Sequence, residues 1–173
     1  SILADARDSD IQSKMNLKIK YRESFRPFAP VVLEEDSEDY FELGTTSPYM
    51  LLVAPVNRSR LVKGGSAKHG SGEDMIKMIN EKRSDIPAIT HVDNSARVQT
   101  LSEETNGQLH AVLSEFKAIT GYSVLVNTSF NVRGEPIVCS PKDAYTCFMR
   151  TGIDTLVLEK YILRKELQPD NLE

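Results

Sequence analysis

The stretch YSVLVNTSFNVRG, residues 122–134, contains the features on which the fold assignment depends. Its first part, through Val126, is a run of apolar and β-branched residues, which is typical of a buried strand. The polar residues that follow, Asn127, Ser129 and Asn131, predict a loop at the end of that strand. Small polar side chains in such a loop either form a turn or bind a small planar ligand, and the stretch alone leaves both interpretations open.

One helix is predicted before this strand and another after it. Thr105 and Gln108 form a capping-box pattern for the first helix, and Gly121 is placed to end it. Ser140 and Pro141 are typical of the N-cap and the first position of the second helix. The apolar stripe of the first helix, which we expect to face the core, consists of Leu109, Val112, Leu113, Phe116 and Ile119.

The rest of the chain mixes helix and strand patterns. The further predicted elements are a helix over residues 10–17, strands over 28–35, 50–56, 86–92 and 96–101, and strand over 154–165. Pro27 and Pro30 place the first of these strands near an edge or a bulge, and the second is expected to be buried. Asn94 is expected to take a positive φ in a hairpin turn before residue 96. Because strands and helices do not alternate strictly, we expect an α/β (α+β) fold with a twisted mixed sheet and flanking helices.

Composition restricts the class of protein. The 173 residues carry a formal charge of -4, and 40% of them are hydrophobic, which predicts a single globular domain over residues 1–173. The chain has no apolar run of roughly 20 residues and no signal-peptide pattern, so we expect a cytoplasmic protein without a membrane partner. Its opening, SILADARDSD, is expected to be an internal stretch of a longer protein. Cys139 and Cys147 match no zinc or redox spacing and are expected to be reduced core thiols.

Three kinds of catalytic site are disfavoured. The segment NRSRLVKGGSAKHGSGED, residues 57–74, predicts a mobile loop. Within its Gly-rich part, residues 63–72, Ser71 and Gly72 stand where a phosphate-binding loop needs Lys and Ser/Thr. We assign this loop no role. The histidines have no zinc spacing, so no protein-bound metal is predicted, although His91 and Asp93 would share one face of a strand and therefore one ligand. No nucleophile elbow is present, and neither cysteine has an evident base.

An anion-binding site is the hypothesis that remains. Lys20 and Arg22 form a K-x-R pattern, and Arg26 follows them in an otherwise acidic chain. Taken alone, this basic run is better explained as a solvated helix face. However, Arg provides a planar fork and Lys a compact charge for phosphate oxygens. The pairing of K-x-R with the distant S-x-N of Ser129 and Asn131 is more specific than either pattern alone.

This pairing resembles the nucleotide-site signature of YrdC-like domains, which form carbamoyl- or threonylcarbamoyl-adenylates. The longer strings KYRESFRPFAPVVLEE, SPYM, TGYSVLVNTSFNVRGEPIV and TGIDTLVL are similar to the carboxy-terminal half of nodulation- and antibiotic-type O-carbamoyltransferases. The resemblance extends from Ser1 to about Lys165. This chain reads DNSAR where that family usually has DGTAR, and Ser123 stands where proline is usual.

The resemblance implies a YrdC-like fold and a division of labour. This chain would be the single C-terminal domain that converts carbamoyl phosphate and ATP, with Mg²⁺ carried by the nucleotide, to carbamoyl-adenylate. An N-terminal partner domain of actin/hexokinase-like fold would transfer the carbamoyl group to a hydroxyl, so complete transfer is not expected from this chain alone. The residues expected to be catalytic are Lys20, Arg22, Arg97 and Ser129. Those expected to bind ligand are Arg26, Asn127, Thr128, Asn131, Arg133 and His91.

Two alternatives remain open. The chain would be a non-catalytic module that binds nucleotide or carbamoyl phosphate and depends on its partner domain for turnover. An RNA-binding role is the weaker alternative, because the sequence pI is about 5.5 and the chain lacks an aromatic and basic surface pattern. The identity of the hydroxyl acceptor does not follow from these residues.

Overall fold

The structure, a computed structural model, describes residues 1–62 and 82–169. The chain divides into two compact units. The sheet unit consists of residues 2–12 and 27–128, and the helix–hairpin unit consists of residue 1 with residues 13–26 and 129–173. The predicted Gly-rich loop over 63–72 lies outside the described residues.

The sheet unit contains a five-stranded mixed sheet, as predicted. Its strands are β1 (Ile2–Asp5), β2 (Ala29–Leu33), β3 (Leu52–Pro55), β4 (Ser95–Leu101) and β5 (Val124–Thr128). Their order in the sheet is β1-β5-β2-β4-β3, in which β2 and β4 are parallel and the other neighbours are antiparallel. The predicted α/β class is therefore confirmed.

Strand β5 lies inside the sheet, and residues 124–127 are buried, as the apolar run predicted. It is paired on both sides, with β1 and with β2. Two short α-helices precede the main helix of this unit: α1 (Ile11–Met15), whose last residues belong to the helix–hairpin unit, and α2 (Ser37–Tyr40). The core cluster on one side of the sheet consists of Val31, Leu33, Leu101, Leu113 and Leu125, with Leu3, Leu109 and Phe116 packed against it.

The main helix, α3 (Glu103–Thr120), differs from its prediction at its start and in its apolar stripe. Ser102, and not Thr105, is the N-cap, because the Ser102 Oγ accepts from the Thr105 N–H at 3.3 Å. The backbone is non-helical at Asn106, so the continuous helix begins after that residue. Val112 is 52% exposed and Ile119 is 82% exposed, so the core-facing stripe is narrower than predicted. Gly121 ends the helix at φ +78°, as predicted.

Three strand predictions are wrong in ways that sheet pairing explains. Residues 86–92 form no strand and instead contain a 3₁₀ turn over Pro87–Ile89. The predicted hairpin between residues 86–92 and β4 is therefore absent, and the antiparallel partner of β4 is β3. Strand β2 is central and not at an edge. Its pairing with β4 begins at Val31, so the missing N–H of Pro30 falls outside that ladder. Strand β3 is one of the two edge strands, and only Ala54 in it is buried.

The helix–hairpin unit contains the other predicted helix. Helix α4 (Pro141–Arg150) begins with a capping box between Ser140 and Asp143. Strands β6 (Thr155–Leu158) and β7 (Tyr161–Arg164) form an antiparallel hairpin where strand was predicted. Helix α1 continues as a π-helical turn over Asn16–Lys20, three residues beyond its predicted end. The core of this unit consists of Ala144, Phe148 and Leu156, with Phe130, Val138, Tyr145, Met149, Ile153, Leu158 and Leu163 around them.

Both cysteines are free thiols. Cys147 is buried on α4, as predicted, whereas Cys139 is exposed, so the prediction that it is a core residue was wrong. Within residues 1–62 and 82–169, no helix combines the length and apolar character that crossing a bilayer requires.

Candidate functional site

The loop that carries the K-x-R pattern is organised by one buried asparagine. Asn16 lies at the start of the π-helical turn, and its Nδ2 donates to the carbonyls of Ser24 at 3.0 Å and Arg26 at 2.8 Å. Its Oδ1 accepts from the Nε of Arg22 at 2.6 Å, and its carbonyl accepts from the Arg22 N–H at 3.0 Å. Asn16 therefore sets the path of residues 21–26 and holds the Arg22 side chain in place.

Lys20 ends the π-helical turn, is 5% exposed and joins the two patterns. Its Nζ lies 2.5 Å from the carbonyl of Ser129 and 3.2 Å from the Ser129 Oγ. The same Nζ lies 2.9 Å from the Oδ1 of Asn131 and 3.1 Å from its carbonyl. Because an ammonium group has three N–H donors, it serves at most three of these four acceptors fully. Lys20 thus connects the K-x-R and S-x-N patterns by direct contact. The resemblance had indicated only that the two patterns occur together.

The S-x-N side chains also bond within their own loop, which begins directly after β5. The Ser129 Oγ donates to the Asn131 Oδ1 at 2.7 Å, and the Asn131 Nδ2 donates to the carbonyl of Glu135 at 3.0 Å. Both side chains therefore shape the loop in this structure. Their direct action on a ligand stays a prediction.

These residues surround a cavity of about 250 Å³, the cationic cavity. Its lining consists of Lys20, Arg22, Arg26, Ser129, Asn131, Val132 and Arg133. Four of the seven lining residues are cations and none is acidic. Arg26 and Arg133 are exposed, and a guanidinium nitrogen of Arg133 lies 3.9 Å from a carboxylate oxygen of Glu23. An anion is the ligand that this lining favours.

Burial and a neighbouring positive charge lower the pKa of two residues of the cavity, Lys20 and Arg22. Burial is the main cause that lowers the pKa of Lys20 to about 8, and the charge of Arg22 lowers it further. Burial also lowers the pKa of Arg22, with the charge of Arg26 as the second cause. Lys20 is therefore still mostly protonated at neutral pH, and an anion in the cavity would relieve the repulsion between the cations.

The lining does not suit a protein-held divalent cation. Mg²⁺ prefers oxygen ligands, carboxylates above all, and the cavity presents four positive groups instead. A magnesium ion that arrived with a nucleotide would have to be held by the phosphates. No group of three or more potential metal ligands occurs among the residues the structure describes.

Two predicted residues, Arg97 and Asn127, share one face of the sheet. The Asn127 Nδ2 donates to the Oε1 of Gln99 at 2.7 Å, and Arg97 lies two positions before Gln99 on β4. Arg97 is exposed, whereas Asn127 is 8% exposed. The Asn127 Oδ1 is buried and has no hydrogen-bond partner in the described part of the chain. A donor from a ligand would satisfy it.

The last two predicted residues are also in the sheet unit. Thr128 is the final residue of β5 and pairs with Ile2. His91 lies in a turn, with its Nδ1 3.2 Å from the Ser95 Oγ, and burial lowers its pKa. Since residues 86–92 are not a strand, the proposal that His91 and Asp93 share a strand face is wrong.

Six of the ten predicted site residues thus belong to the helix–hairpin unit and line the cationic cavity. The four in the sheet unit are Arg97, Asn127, Thr128 and His91. Sequence reasoning missed Asn16, Val132 and Gln99. Only Asn16 gave a signal, since asparagine is a weak helix former and stood inside a predicted helix beside a basic run.

Comparison of the sequence with known proteins identifies the family of this chain. The family model described as "Carbamoyltransferase C-terminus" matches residues 1–165. An uncharacterized protein of Synechocystis sp. is 58% identical over 170 residues, which are 98% of this chain and 27% of that protein. Nodulation protein NolNO of Sinorhizobium fredii is 40% identical over 168 residues, 95% of this chain and 22% of that protein.

A third relative is named as an enzyme. The 3'-hydroxymethylcephem-O-carbamoyltransferase of Amycolatopsis lactamdurans is 34% identical over 158 residues, 91% of this chain and 26% of that protein. The chain therefore spans about a quarter of the length of the curated relatives it matches.

Proposed function

Since this chain belongs to the carbamoyltransferase C-terminal family, we propose that it forms carbamoyl-adenylate from carbamoyl phosphate and ATP. In this reaction carbamoyl phosphate is hydrolysed to carbamate and inorganic phosphate. A carbamate oxygen then attacks the α-phosphorus of ATP, and the bond from that phosphorus to the bridging oxygen breaks. The products are carbamoyl-adenylate and pyrophosphate.

The observation that carries the proposal is the cationic cavity. Transfer at the α-phosphorus places negative charge on the phosphate oxygens and on the leaving pyrophosphate, so positioned cations supply most of the protein's contribution. Four cations converge on a space of about 250 Å³ in a chain whose net charge is -4. Positive charge is therefore concentrated at this cavity although the chain as a whole is acidic.

The geometry suggests separate tasks for these residues. Arg22 is half-buried and fixed by Asn16, so it suits bidentate contact with phosphate oxygens. Arg26 and Arg133 are exposed and suit the capture of the incoming anion. Lys20 holds the loop of Ser129 and Asn131 and adds charge beneath it. We propose the same general role, contact with the ligand, for Arg97, Asn127, Thr128 and His91.

The wider biochemical setting is part of the proposal. Because the relatives are about four times as long as the matched region, we place transfer to the hydroxyl in another domain. Mg²⁺ would accompany the nucleotide, as the carboxylate-free lining requires. The two free thiols support a cytoplasmic location.

The test is carbamate-dependent exchange of labelled pyrophosphate into ATP by this chain, with carbamoyl phosphate as the source of carbamate. Exchange by the native protein and its loss in Arg22→Ala are expected, with Arg164→Ala, an exposed arginine on β7, as the matched control. ATP binding without exchange would replace the enzyme by the binding module. Failure to bind ATP, combined with a salt-dependent RNA shift, would favour the RNA-binding alternative.

A further inference from the structure

The helix–hairpin unit contains a second cavity, the neutral cavity, of about 520 Å³. It is lined by Tyr21, by Val132 and residues 135–139, and by one face of α4. Val132 also lines the cationic cavity, so the two spaces adjoin at this side chain. The tasks proposed above for the residues of the cationic cavity leave the neutral cavity without a role.

The tripeptide of residues 20–22 contributes to both cavities. Lys20 and Arg22 line the cationic cavity, whereas Tyr21 between them lines the neutral cavity. Tyr21 has φ +49°, a left-handed conformation that is uncommon for a residue other than glycine. This conformation follows the π-helical turn, and the side chains of the tripeptide divide between the two cavities.

The Tyr21 ring is fixed and still accessible. Its Oη donates to the carbonyl of Arg150 at 2.7 Å, so the ring spans the distance from the K-x-R loop to the end of α4. The residue is nevertheless 49% exposed. An aromatic ring held at its tip with an open surface is suited to stacking against a planar ligand.

Charge distinguishes the two cavities. The neutral cavity contains two acidic residues, Glu135 and Asp143, and two basic residues, Lys142 and Arg150. Its charges therefore cancel, whereas the cationic cavity has four positive groups and no negative one. A ligand that fills both spaces should have an anionic part and an uncharged, planar part.

We propose that the neutral cavity receives the nucleoside part of a nucleoside triphosphate whose phosphates lie in the cationic cavity, with the base stacked on Tyr21. This inference rests on the proposed function, because it requires a nucleotide ligand. It adds a site for the base and a residue, Tyr21, that recognises it. Backbone and side-chain polar groups of residues 135–139 and α4 would contact the ribose and the base edge.

The test compares ATP with inorganic tripolyphosphate, which has the phosphates and lacks the nucleoside. Dissociation constants are measured by calorimetry for the native chain and for Tyr21→Ala, Tyr21→Phe and Arg22→Ala. Tyr21→Ala should weaken ATP binding about tenfold, the range expected for loss of one base-stacking contact, and should leave tripolyphosphate binding unchanged. Tyr21→Phe keeps the ring and should stay within about threefold of the native affinity for ATP.

A second variant protects the test against misfolding of Tyr21→Ala. Ile137 lines the neutral cavity and is 58% exposed, so Ile137→Trp should fill space without disturbing the core. It should weaken the binding of ATP and leave the binding of tripolyphosphate unchanged. Tyr161→Ala, at an exposed tyrosine on β7, is the matched control and should change neither.

The outcomes separate the two proposals. If Arg22→Ala weakens the binding of both ligands while Tyr21→Ala and Ile137→Trp weaken the binding of neither, the proposed nucleoside site is wrong and the proposed anion site is supported. If the native chain binds tripolyphosphate and ATP equally well, the nucleoside site is also wrong. If the native chain binds neither ligand, both proposals fail.

Discussion

The cationic and neutral cavities are built from neighbouring residues of the same segments and differ in what they can bind. Residues 20–22 and the loop after β5 contribute to both linings. One lining has four positive residues and no acidic one, and the other has balanced charges and an aromatic ring. The difference shows that a short motif contributes to two different cavities when its backbone turns sharply within it. In K-Y-R the turn is at Tyr21, with φ +49°.

The largest expected effect comes from Lys20→Met. This change removes a charge and the contacts of Nζ with four oxygens of Ser129 and Asn131. These contacts are within the protein, so their loss should loosen the loop of Ser129 and Asn131, while the lost charge removes attraction for the anion. Since one charge-assisted interaction contributes about 1.5–3 kcal/mol, we expect both ATP and tripolyphosphate to bind about 100-fold more weakly. Calorimetry beside thermal melting measures this, with the exposed Lys160→Met as control. If the native and Lys20→Met proteins bind ATP and tripolyphosphate equally well, Lys20 has no role in anion binding at the cationic cavity.

Arg22→Ala tests the same cavity through an arginine. Loss of one charge-assisted contact corresponds to about a tenfold to hundredfold weaker affinity for both ligands. The substitution also leaves the Oδ1 of buried Asn16 without its 2.6 Å donor, so the melting temperature should fall somewhat, which distinguishes this variant from Arg164→Ala. A selective loss of ATP binding, with tripolyphosphate unaffected, would contradict the assignment of Arg22 to phosphate.

The pH dependence of anion binding sharpens the comparison, because the cationic cavity contains a lysine whose pKa is lowered to about 8. The pKa of Lys20 is lowered to about 8, so tripolyphosphate affinity should decline severalfold as the pH rises through 8. Binding should take up protons near that pH, since the bound anion raises the pKa. Affinities measured from pH 7 to 9.5 in native and Lys20→Met proteins check this. A profile that Lys20→Met does not change would assign the titration to another group.

The same pKa also predicts a direction for stability. The folded pKa lies below the unfolded value of about 10.4, so the unfolded chain binds more protons between these two values. The contribution of Lys20 to the free energy of unfolding should therefore increase as the pH rises from about 8 towards 10.4. The difference in melting temperature between native and Lys20→Met proteins, followed over this range, measures the contribution.

The smallest expected effect belongs to Ser129→Ala. The Ser129 Oγ makes one neutral hydrogen bond, to the Asn131 Oδ1, and lies 3.2 Å from the Lys20 Nζ. One such bond contributes about 0.5–1.5 kcal/mol, so a fewfold loss of pyrophosphate exchange is expected with little change in melting temperature. Asn131→Ala should have at least as large an effect. A clear drop in melting temperature with normal exchange would make both residues purely structural.

The sequence predicted the elements that depend on neighbouring residues. The buried strand β5, the end of α3 at Gly121, the capping box of α4 and the positive φ of Asn94 all follow from local patterns. The strand predictions were wrong where the structure depends on pairing between strands that are distant in the sequence. Nothing local indicates that β2 lies between β5 and β4, or that β4 takes β3 as its partner.

The candidate site divides in the same way. The resemblance and the charge pattern identified K-x-R and S-x-N, because such motifs consist of residue types at short spacing. The meeting of Lys20 with Ser129 and Asn131 joins residues 109 and 111 positions apart, and the burial that lowers the Lys20 pKa exists only after folding. The left-handed Tyr21 and the buried Asn16 likewise depend on packing around the loop.

The sequence by itself thus determined the fold class, the family and the kinds of charge available to the site. Only the tertiary structure decided which cations share one cavity, which aromatic ring lines the other, and which strands lie at the edges of the sheet. The physical reason is that propensity and capping depend on a few adjacent residues. Convergence of charges, desolvation and strand pairing depend on contacts between distant ones, which exist only in the folded chain.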